Sequence, residues 1–84
     1  MIDRSLMYRV LVALNAVART GIRETILLDE IALEAAHHVE AATIREHLAE
    51  AERKGWVENY KGPLCEIRWR LLDQGRHVMV DLRS

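Results

Sequence analysis

The chain has 84 residues, of which 50% are hydrophobic and 30% are charged, and its formal net charge is −1. This length suits one domain over residues 1–84, and the composition is typical of a globular chain and excludes a disordered one. The lack of a basic excess argues against non-specific nucleic-acid binding, whose affinity comes from phosphate neutralisation, but it leaves room for a local basic patch.

The single cysteine, Cys65, excludes an intrachain disulfide and predicts a reducing, cytoplasmic location. The first residues are amphipathic and lack the uninterrupted apolar run of a secretory signal. Because the apolar runs elsewhere are far shorter than a bilayer is thick, no membrane association is expected.

The first predicted element is a helix capped by Asp3 or Ser5, which runs to about residues 19–20 and stops at Gly21. Val12 falls on its polar side, where it is either a solitary exposed residue or a contact to a second chain. The apolar side of the helix comprises Leu6, Val10, Ala13, Leu14 and Val17, with Met7, Leu11 and Ala18 on its flank.

A short extended segment is predicted over residues 22–27, and a second helix from about Leu28 to Ala36. Acidic residues near the start of this helix favour the positive end of the helix dipole. A turn over residues 37–39 follows. The side of the second helix predicted to face inward comprises Ile31, Ala32 and Ala35.

A third helix is predicted from about Ala41 to Lys54. Gly55 suits a left-handed cap after it, and Trp56 supplies the apolar contact that accompanies such a cap. The buried seam of this helix, at helical spacing, comprises Ile44, Leu48 and Ala51.

A hairpin of strands Trp56–Tyr60 and Leu64–Leu71 is predicted around a Lys-Gly-Pro loop, and a short last helix runs from Gln74 to about Leu82. The last helix has Val78, Met79 and Leu82 on its apolar side. Alternation in the second strand places Cys65, Ile67, Trp69 and Leu71 on the inner face and Glu66, Arg68 and Arg70 on the outer face.

Three segments at a characteristic spacing indicate a family. They are Leu28-Asp29-Glu30-Ile31-Ala32, then Thr43-Ile44-Arg45-Glu46-His47-Leu48 with Glu52-Arg53-Lys54-Gly55-Trp56-Val57, and then Trp69-Arg70-Leu71-Leu72-Asp73-Gln74-Gly75-Arg76. Together they resemble the winged helix-turn-helix superfamily of bacterial and phage regulators. The resemblance implies an α+β, mainly α fold with a three-helix core, a two-stranded wing and a short C-terminal helix.

The same resemblance implies that the third helix is a recognition helix that enters the major groove of double-stranded DNA. Arg45 is the best candidate for base reading, because a guanidinium group matches the two major-groove acceptors of guanine. Lys61 at the wing tip is expected to touch the adjacent minor groove or the flanking backbone, and the strand arginines to hold phosphates. The implied DNA-binding residues are Ala42, Thr43, Arg45, Glu46, Ala49, Arg53, Lys61, Arg68 and Arg70.

The segment that would face DNA departs from the family pattern in its charge. Residues 28–54 carry seven acidic against three basic side chains, a balance of −4. Glu40 stands where the family often has a Ser or Thr cap, and alanines replace residues that could hydrogen-bond bases. An alternative is therefore a winged-helix protein-interaction module without nucleic-acid binding, in which the acidic second helix and the Ala42–Ala49 strip dock a basic or helical partner.

Other chemistries receive little support. Arg53 could form an intrahelical ion pair with Glu50 and not read DNA. The four histidines and Cys65 match no compact zinc spacing, so no metal or cofactor is expected, and Cys65 is predicted to pack inside its strand. No nucleophile, phosphate-loop or paired-carboxylate signature appears, so the chain is not expected to be an enzyme.

The apolar flank of the first helix predicts an oligomer. Either the last helix covers this flank within one chain, or a second chain does. Since a domain this small covers its core thinly, we expect a homodimer through the terminal helices. The expected function is a cytoplasmic, DNA-binding transcriptional regulator.

Overall fold

The computed structural model describes residues 2–17, 20–35 and 38–83. Its sheet has the strand order β1-β3-β2 and is antiparallel at both pairings. The predicted α+β, mainly α class is confirmed. The elements are α1 (Arg4–Asn15), β1 (Ile22–Arg23), α2 (Glu24–Glu34), α3 (Ala41–Arg53), β2 (Val57–Lys61), β3 (Ile67–Leu71) and α4 (Asp73–Arg83).

Helix α1 begins where the sequence predicted but ends earlier. The Asp3 carboxylate accepts the backbone N–H groups of Ser5 at 2.8 Å and Leu6 at 3.2 Å, which confirms Asp3 as the cap. The helix ends at Asn15, so the predicted extension to residues 19–20 is wrong; Arg19 itself lies outside the described residues. The chain must turn here to bring Ile22 beside β3, and Gly21, at φ +72°, completes that turn.

The core lies between the four helices and one face of the sheet. Met7 and Leu11, the predicted flank of α1, are buried within the chain, because α4 packs along α1. Ala18, the third member of that flank, lies outside the described residues. The buried apolar residues are Leu6, Met7, Val10, Leu11, Leu14, Ile22, Leu27, Leu28, Ile31, Ile44, Leu48, Ala51, Val57, Trp69 and Leu71.

Helix α2 begins at Glu24, four residues before the predicted start, so the extended segment is confined to Ile22–Arg23. Residues 24–27 are helical because this conformation buries Leu27 beside Leu28 and Ile31, and burial outweighs their local strand propensity. Ala32, predicted to face inward, is exposed. The predicted end at Ala36 and the first residue of the following turn lie outside the described residues.

The second strand of the hairpin is shorter than predicted, because β3 starts at Ile67 and not at Leu64. Cys65 was predicted to face the core but is exposed, with φ +63°, in a tight turn in which its N–H bonds to the Gly62 carbonyl at 3.0 Å. Ile67, also predicted to face the core, is exposed at 46%. The inward positions of Trp69 and Leu71 are confirmed.

Candidate nucleic-acid interface

Helix α3 has one buried and one exposed side. The predicted seam of Ile44, Leu48 and Ala51 is confirmed, with all three at 0% exposure. Gly55 adopts the predicted left-handed conformation at φ +79°, and the Trp56 N–H returns to the Ala51 carbonyl at 2.9 Å, which closes the helix. The exposed side comprises Ala42, Thr43, Arg45, Glu46, Ala49 and Arg53.

Arg45 projects from the middle of that exposed side towards the start of α2. Its Nε lies 3.6 Å from the Glu24 carboxylate, and its side chain keeps 54% exposure. Glu24 also accepts the Trp69 indole N–H at 3.3 Å. Glu24 therefore links the exposed side of α3 to the sheet, and the predicted base reader is held by a carboxylate from another helix.

Arg53, the last residue of α3, forms an ion pair with Glu50, as one of the two readings of the sequence predicted. Lys54 approaches the same carboxylate at 3.6 Å. The hydrogen bond from Arg53 and the charges of Arg53 and Lys54 lower the pKa of Glu50 below its ordinary value. Glu50 thus stays ionised and neutralises part of the basic charge at this end of the helix.

The outer face of the sheet carries the two strand arginines. Arg70 pairs across the strands with Glu58, and its guanidinium lies 5.5 Å from the centre of the Tyr60 ring. Arg68 lies 3.5 Å from the Glu66 carboxylate. Burial raises the pKa of Glu66, but hydrogen bonds from its own backbone, from Leu64 and from Arg68 outweigh burial, so that pKa lies below its ordinary value.

Lys61 lies apart from the strand arginines. It is exposed at the end of β2, and its register partner is Ile67. Because side chains alternate along a strand, Lys61 belongs to the face that carries Trp69, opposite to the face of Arg68 and Arg70. The structure therefore divides the predicted wing contacts between the two faces of the hairpin.

The sequence analysis did not identify Arg23, which adjoins the outer basic face. Arg23 on β1 is exposed and is the direct register partner of Arg68 on β3. Directly opposed residues of antiparallel strands share a face, so Arg23 extends the face of Arg68 and Arg70. The signal was the alternation of an apolar Ile22 with a charged Arg23, but it became informative only once β1 was known to pair with β3.

His47 was also missed as a positioned residue. It is fully buried in α3, and both ring nitrogens contact backbone groups: Nε2 lies 2.8 Å from the Asp3 nitrogen and Nδ1 lies 2.8 Å from the Thr43 oxygen. The signal was its spacing of three and four residues from Ile44 and Ala51, which places it in the buried seam.

Within residues 2–17, 20–35 and 38–83, no group of three or more His, Cys, Asp or Glu side chains could hold a metal ion. No helix in them is long and apolar enough to cross a membrane.

Solved structures decide the fold. The chain superposes on the PcaV transcriptional regulator from Streptomyces coelicolor, in complex with its natural ligand, with a TM-score of 0.74, 24% identity and coverage of 90% of this chain and 50% of that one. For a MarR family transcription regulator the values are 0.73, 19%, 93% and 48%. For a variant of S. aureus MepR bound to an oligodeoxyribonucleotide they are 0.73, 17%, 94% and 54%.

The chain has a winged helix-turn-helix fold. In this winged helix-turn-helix, α2 and α3 are the helix-turn-helix pair, and β2 and β3 are the wing. The chain spans about half the length of these structures. No family model and no curated protein matches it.

Proposed function

We propose that this protein is a DNA-binding transcriptional regulator, cytoplasmic and of bacterial or phage origin. The observation that carries the proposal is the division of α3 into a buried seam and an exposed side next to a two-stranded wing. That geometry lets one helix enter a major groove while the wing touches the adjacent backbone. The solved MepR variant, which shares the fold, is bound to an oligodeoxyribonucleotide.

In this mechanism Arg45 reads a guanine, and Thr43 contacts a phosphate or a thymine methyl group. The small side chains of Ala42 and Ala49 let the helix backbone approach the base edges. Glu46 lies on the same side and can accept a hydrogen bond from the amino group of cytosine. Phosphates are held by four side chains, Arg53, Lys61, Arg68 and Arg70.

The ion pairs at this surface can be exchanged for phosphate contacts. Fully exposed pairs contribute only about 0–1 kcal/mol, and the pair of Arg45 with Glu24 is somewhat stronger because Glu24 is only 16% exposed. A good base contact of about 1–3 kcal/mol compensates for the release of Arg45. The released carboxylates repel DNA, however, and this lowers the affinity for every sequence alike. The proposed regulator is therefore one that depends on base contacts more than on general attraction to phosphate.

The regulator is proposed to act as a homodimer through α1 and α4. The original reason, an uncovered flank of α1, is wrong, because Met7 and Leu11 are buried by the chain itself. A different apolar surface takes its place: Val12 on α1 is 38% exposed and Val80 on α4 is 60% exposed, and both line one groove between the helices. Two copies that share this surface would present two α3 helices to a palindromic site.

A protein-interaction module remains the second candidate, and one observation favours it. Leu33, at 85% exposure, and Ile26, at 47%, lie seven residues apart on α2, with the exposed acids Asp29 and Glu30 between them. This spacing places them on one side of the helix. An apolar stripe flanked by carboxylates suits a basic amphipathic helix.

Binding to duplex DNA separates the two candidates. Selection from a random duplex pool at low and at physiological salt should enrich a palindrome. Arg45→Ala should cost about 1–3 kcal/mol of binding to that site and relax the preference at one base pair. Lys61→Ala should weaken binding to all sequences alike and reduce the salt dependence. No enrichment at either salt concentration, together with loss of a bound partner on Leu33→Asp, would favour the interaction module.

A further inference from the structure

The buried His47 is the one side chain of the α3 seam that makes hydrogen bonds to two elements. Its Nε2 lies 2.8 Å from the backbone nitrogen of Asp3, at the start of α1. Its Nδ1 lies 2.8 Å from the carbonyl oxygen of Thr43, one turn earlier in α3. The imidazole therefore joins α3 to Asp3, the N-cap residue of α1.

The two backbone partners fix the protonation of the ring. A backbone N–H only donates, so Nε2 must offer a lone pair to Asp3, and a carbonyl only accepts, so Nδ1 must carry the proton that goes to Thr43. This describes the neutral imidazole with the proton on Nδ1. A second proton would have to sit on Nε2, where it would face the N–H of Asp3, and the contact would be lost.

The contact holds the first turn of α1. The Asp3 carbonyl accepts the Met7 N–H at 2.9 Å, and the Asp3 carboxylate caps α1. His47 therefore binds a backbone N–H that belongs to the N-terminus of a helix. A cleft of about 710 Å³ lies beside this contact, between the start of α1, the α2–α3 connection and α3. Release of Asp3 can therefore occur into open space without repacking of the core.

The charged groups around the ring do not replace the lost contact. From the start of α1 they are Asp3, Arg4 and Arg9, from the α2–α3 connection His38 and Glu40, and from α3 Glu46. The Asp3 carboxylate is already engaged by two N–H groups, and Arg9 donates to the Glu34 carbonyl at 2.8 Å. The amino terminus, through a hydrogen bond and its charge, and to a smaller extent His47 lower the pKa of Glu46 below its ordinary value, so Glu46 already has a partner.

We propose that His47 is a pH-sensitive latch: its neutral ring positions the start of α1 on the recognition helix, and its protonation releases that contact. The sign follows from proton counting. In the folded chain the Asp3 N–H occupies the lone pair of Nε2, whereas in the unfolded chain Nε2 has no such partner, so the unfolded state binds more protons in acid. The stabilisation is present at neutral pH and is lost as the pH falls through the range in which imidazole titrates.

The first test is independent of DNA. In the full chain, ring ¹⁵N chemical shifts of His47 should report the Nδ1–H form at pH 7.5, and the Asp3 amide signal should shift together with protonation of the His47 ring. The unfolding constant should rise by up to about tenfold for each pH unit below about 6.5. The Nε2–H form at pH 7.5, or protonation of His47 with an unchanged Asp3 amide, would overturn the proposal, and both readings are available on the unmodified chain.

Two substitutions separate the latch from a merely structural role. His47→Gln places an amide oxygen near the position of Nε2 without a titrating proton, so it should keep the contact and flatten the pH profile. His77→Gln, at an exposed histidine of α4, should follow the unmodified chain. If His47→Gln keeps the full pH profile, His47 is not the latch.

A second arm rests on the proposed function. Affinity for the selected duplex should fall at least about threefold more between pH 7.5 and 5.5 in the unmodified chain than in His47→Gln, because only the former loses its latch. Equal losses in the two would overturn the link to the recognition helix. A latch that titrates in a chain that binds no duplex would support the latch and overturn the proposed function, so the two failures are distinguishable.

Discussion

At the proposed interface, the positive charges of the arginines are offset by neighbouring carboxylates. Arg45, Arg53, Arg68 and Arg70 each contact a carboxylate, so the surface alternates in sign over a few ångströms. In water such pairs are weak, and salt screens what remains. The consequence is that single carboxylates, and not only single arginines, should control the affinity for a polyanion.

Glu24→Gln tests this consequence. The amide can still accept the Trp69 indole N–H through its oxygen, while Arg45 loses its partner charge. Duplex binding should tighten about threefold to tenfold at low salt and less at high salt, because one repulsive charge is gone. Anisotropy titrations at two salt concentrations measure the effect.

Glu34→Gln supplies the matched control, since it removes the same charge from the same helix about 15 Å away. Its effect on binding should be much smaller. Equal tightening by both substitutions would show that only net charge matters and that the carboxylate beside Arg45 has no special position.

Gly75 is a residue whose lack of a side chain allows α4 to dock. It is buried, and a Cβ atom there would collide with the Trp56 carbonyl oxygen and the Leu71 side chain. Gly75→Ala should lower the free energy of unfolding by about 1–3 kcal/mol through overpacking. Gly55→Ala meets open space but a strained φ of +79°, so it should cost only about 1 kcal/mol. Urea unfolding compares the two, and a smaller cost at Gly75 would contradict the close approach.

At the scale of whole elements, α3 could be predicted because its information is local. Ile44, Leu48 and Ala51 repeat at the helical period, and Gly55 marks the end, so the pattern and the cap agree. The inward position of Trp69 could be predicted for the same reason, since alternation alone decides it. Once the buried side of α3 was assigned, helical geometry determined which residues form its exposed side.

Elements whose shape depends on distant partners could not be predicted. Thr25 and Ile26 favour a strand locally, but α2 is helical there because it buries Leu27 against α1 and the sheet. Cys65 continues an alternating pattern, yet the strand cannot begin before the tight turn at Gly62 is complete. The hydrogen bond of His47 to Asp3 spans 44 residues, so no local pattern contains it.

The start of α3 lacks a side-chain cap, which makes it an element that can be improved. Glu40 occupies the cap position with an extended backbone, but its side chain accepts no backbone N–H. Glu40→Asp keeps the charge and shortens the side chain, so it should raise the free energy of unfolding by about 0.5–1 kcal/mol. Glu40→Gln keeps the length but removes the charge at the positive end of the helix, so it should lower that free energy by a few tenths of a kcal/mol. Thermal or urea unfolding of the pair would refute the capping argument if Glu40→Asp gave no gain.

For the whole molecule, the proposed function requires one small chain to recognise an extended DNA site. Each copy carries one α3, so recognition of a palindrome requires two copies related by a two-fold axis. The two half-sites of such a palindrome lie about one helical turn of DNA apart. A two-fold interface uses the same patch on both partners, and it must leave α3 and the wing uncovered. The groove between α1 and α4 has the apolar composition of such an interface, because Val12, Val80, Tyr8 and Met79 line it.

Val12→Glu and Val80→Glu should therefore dissociate the proposed dimer. Both side chains are exposed in the single chain, so the free energy of unfolding of the monomer should change by less than about 0.5 kcal/mol. Burial of a charge at the shared surface should weaken self-association by about tenfold or more, which sedimentation velocity over a concentration series would measure. Leu33→Glu places the same charge at another exposed apolar residue and should leave self-association unchanged. If Leu33→Glu dissociates the assembly and the two valine variants do not, the copies meet through α2, and α2 could not then be the docking face for a different partner.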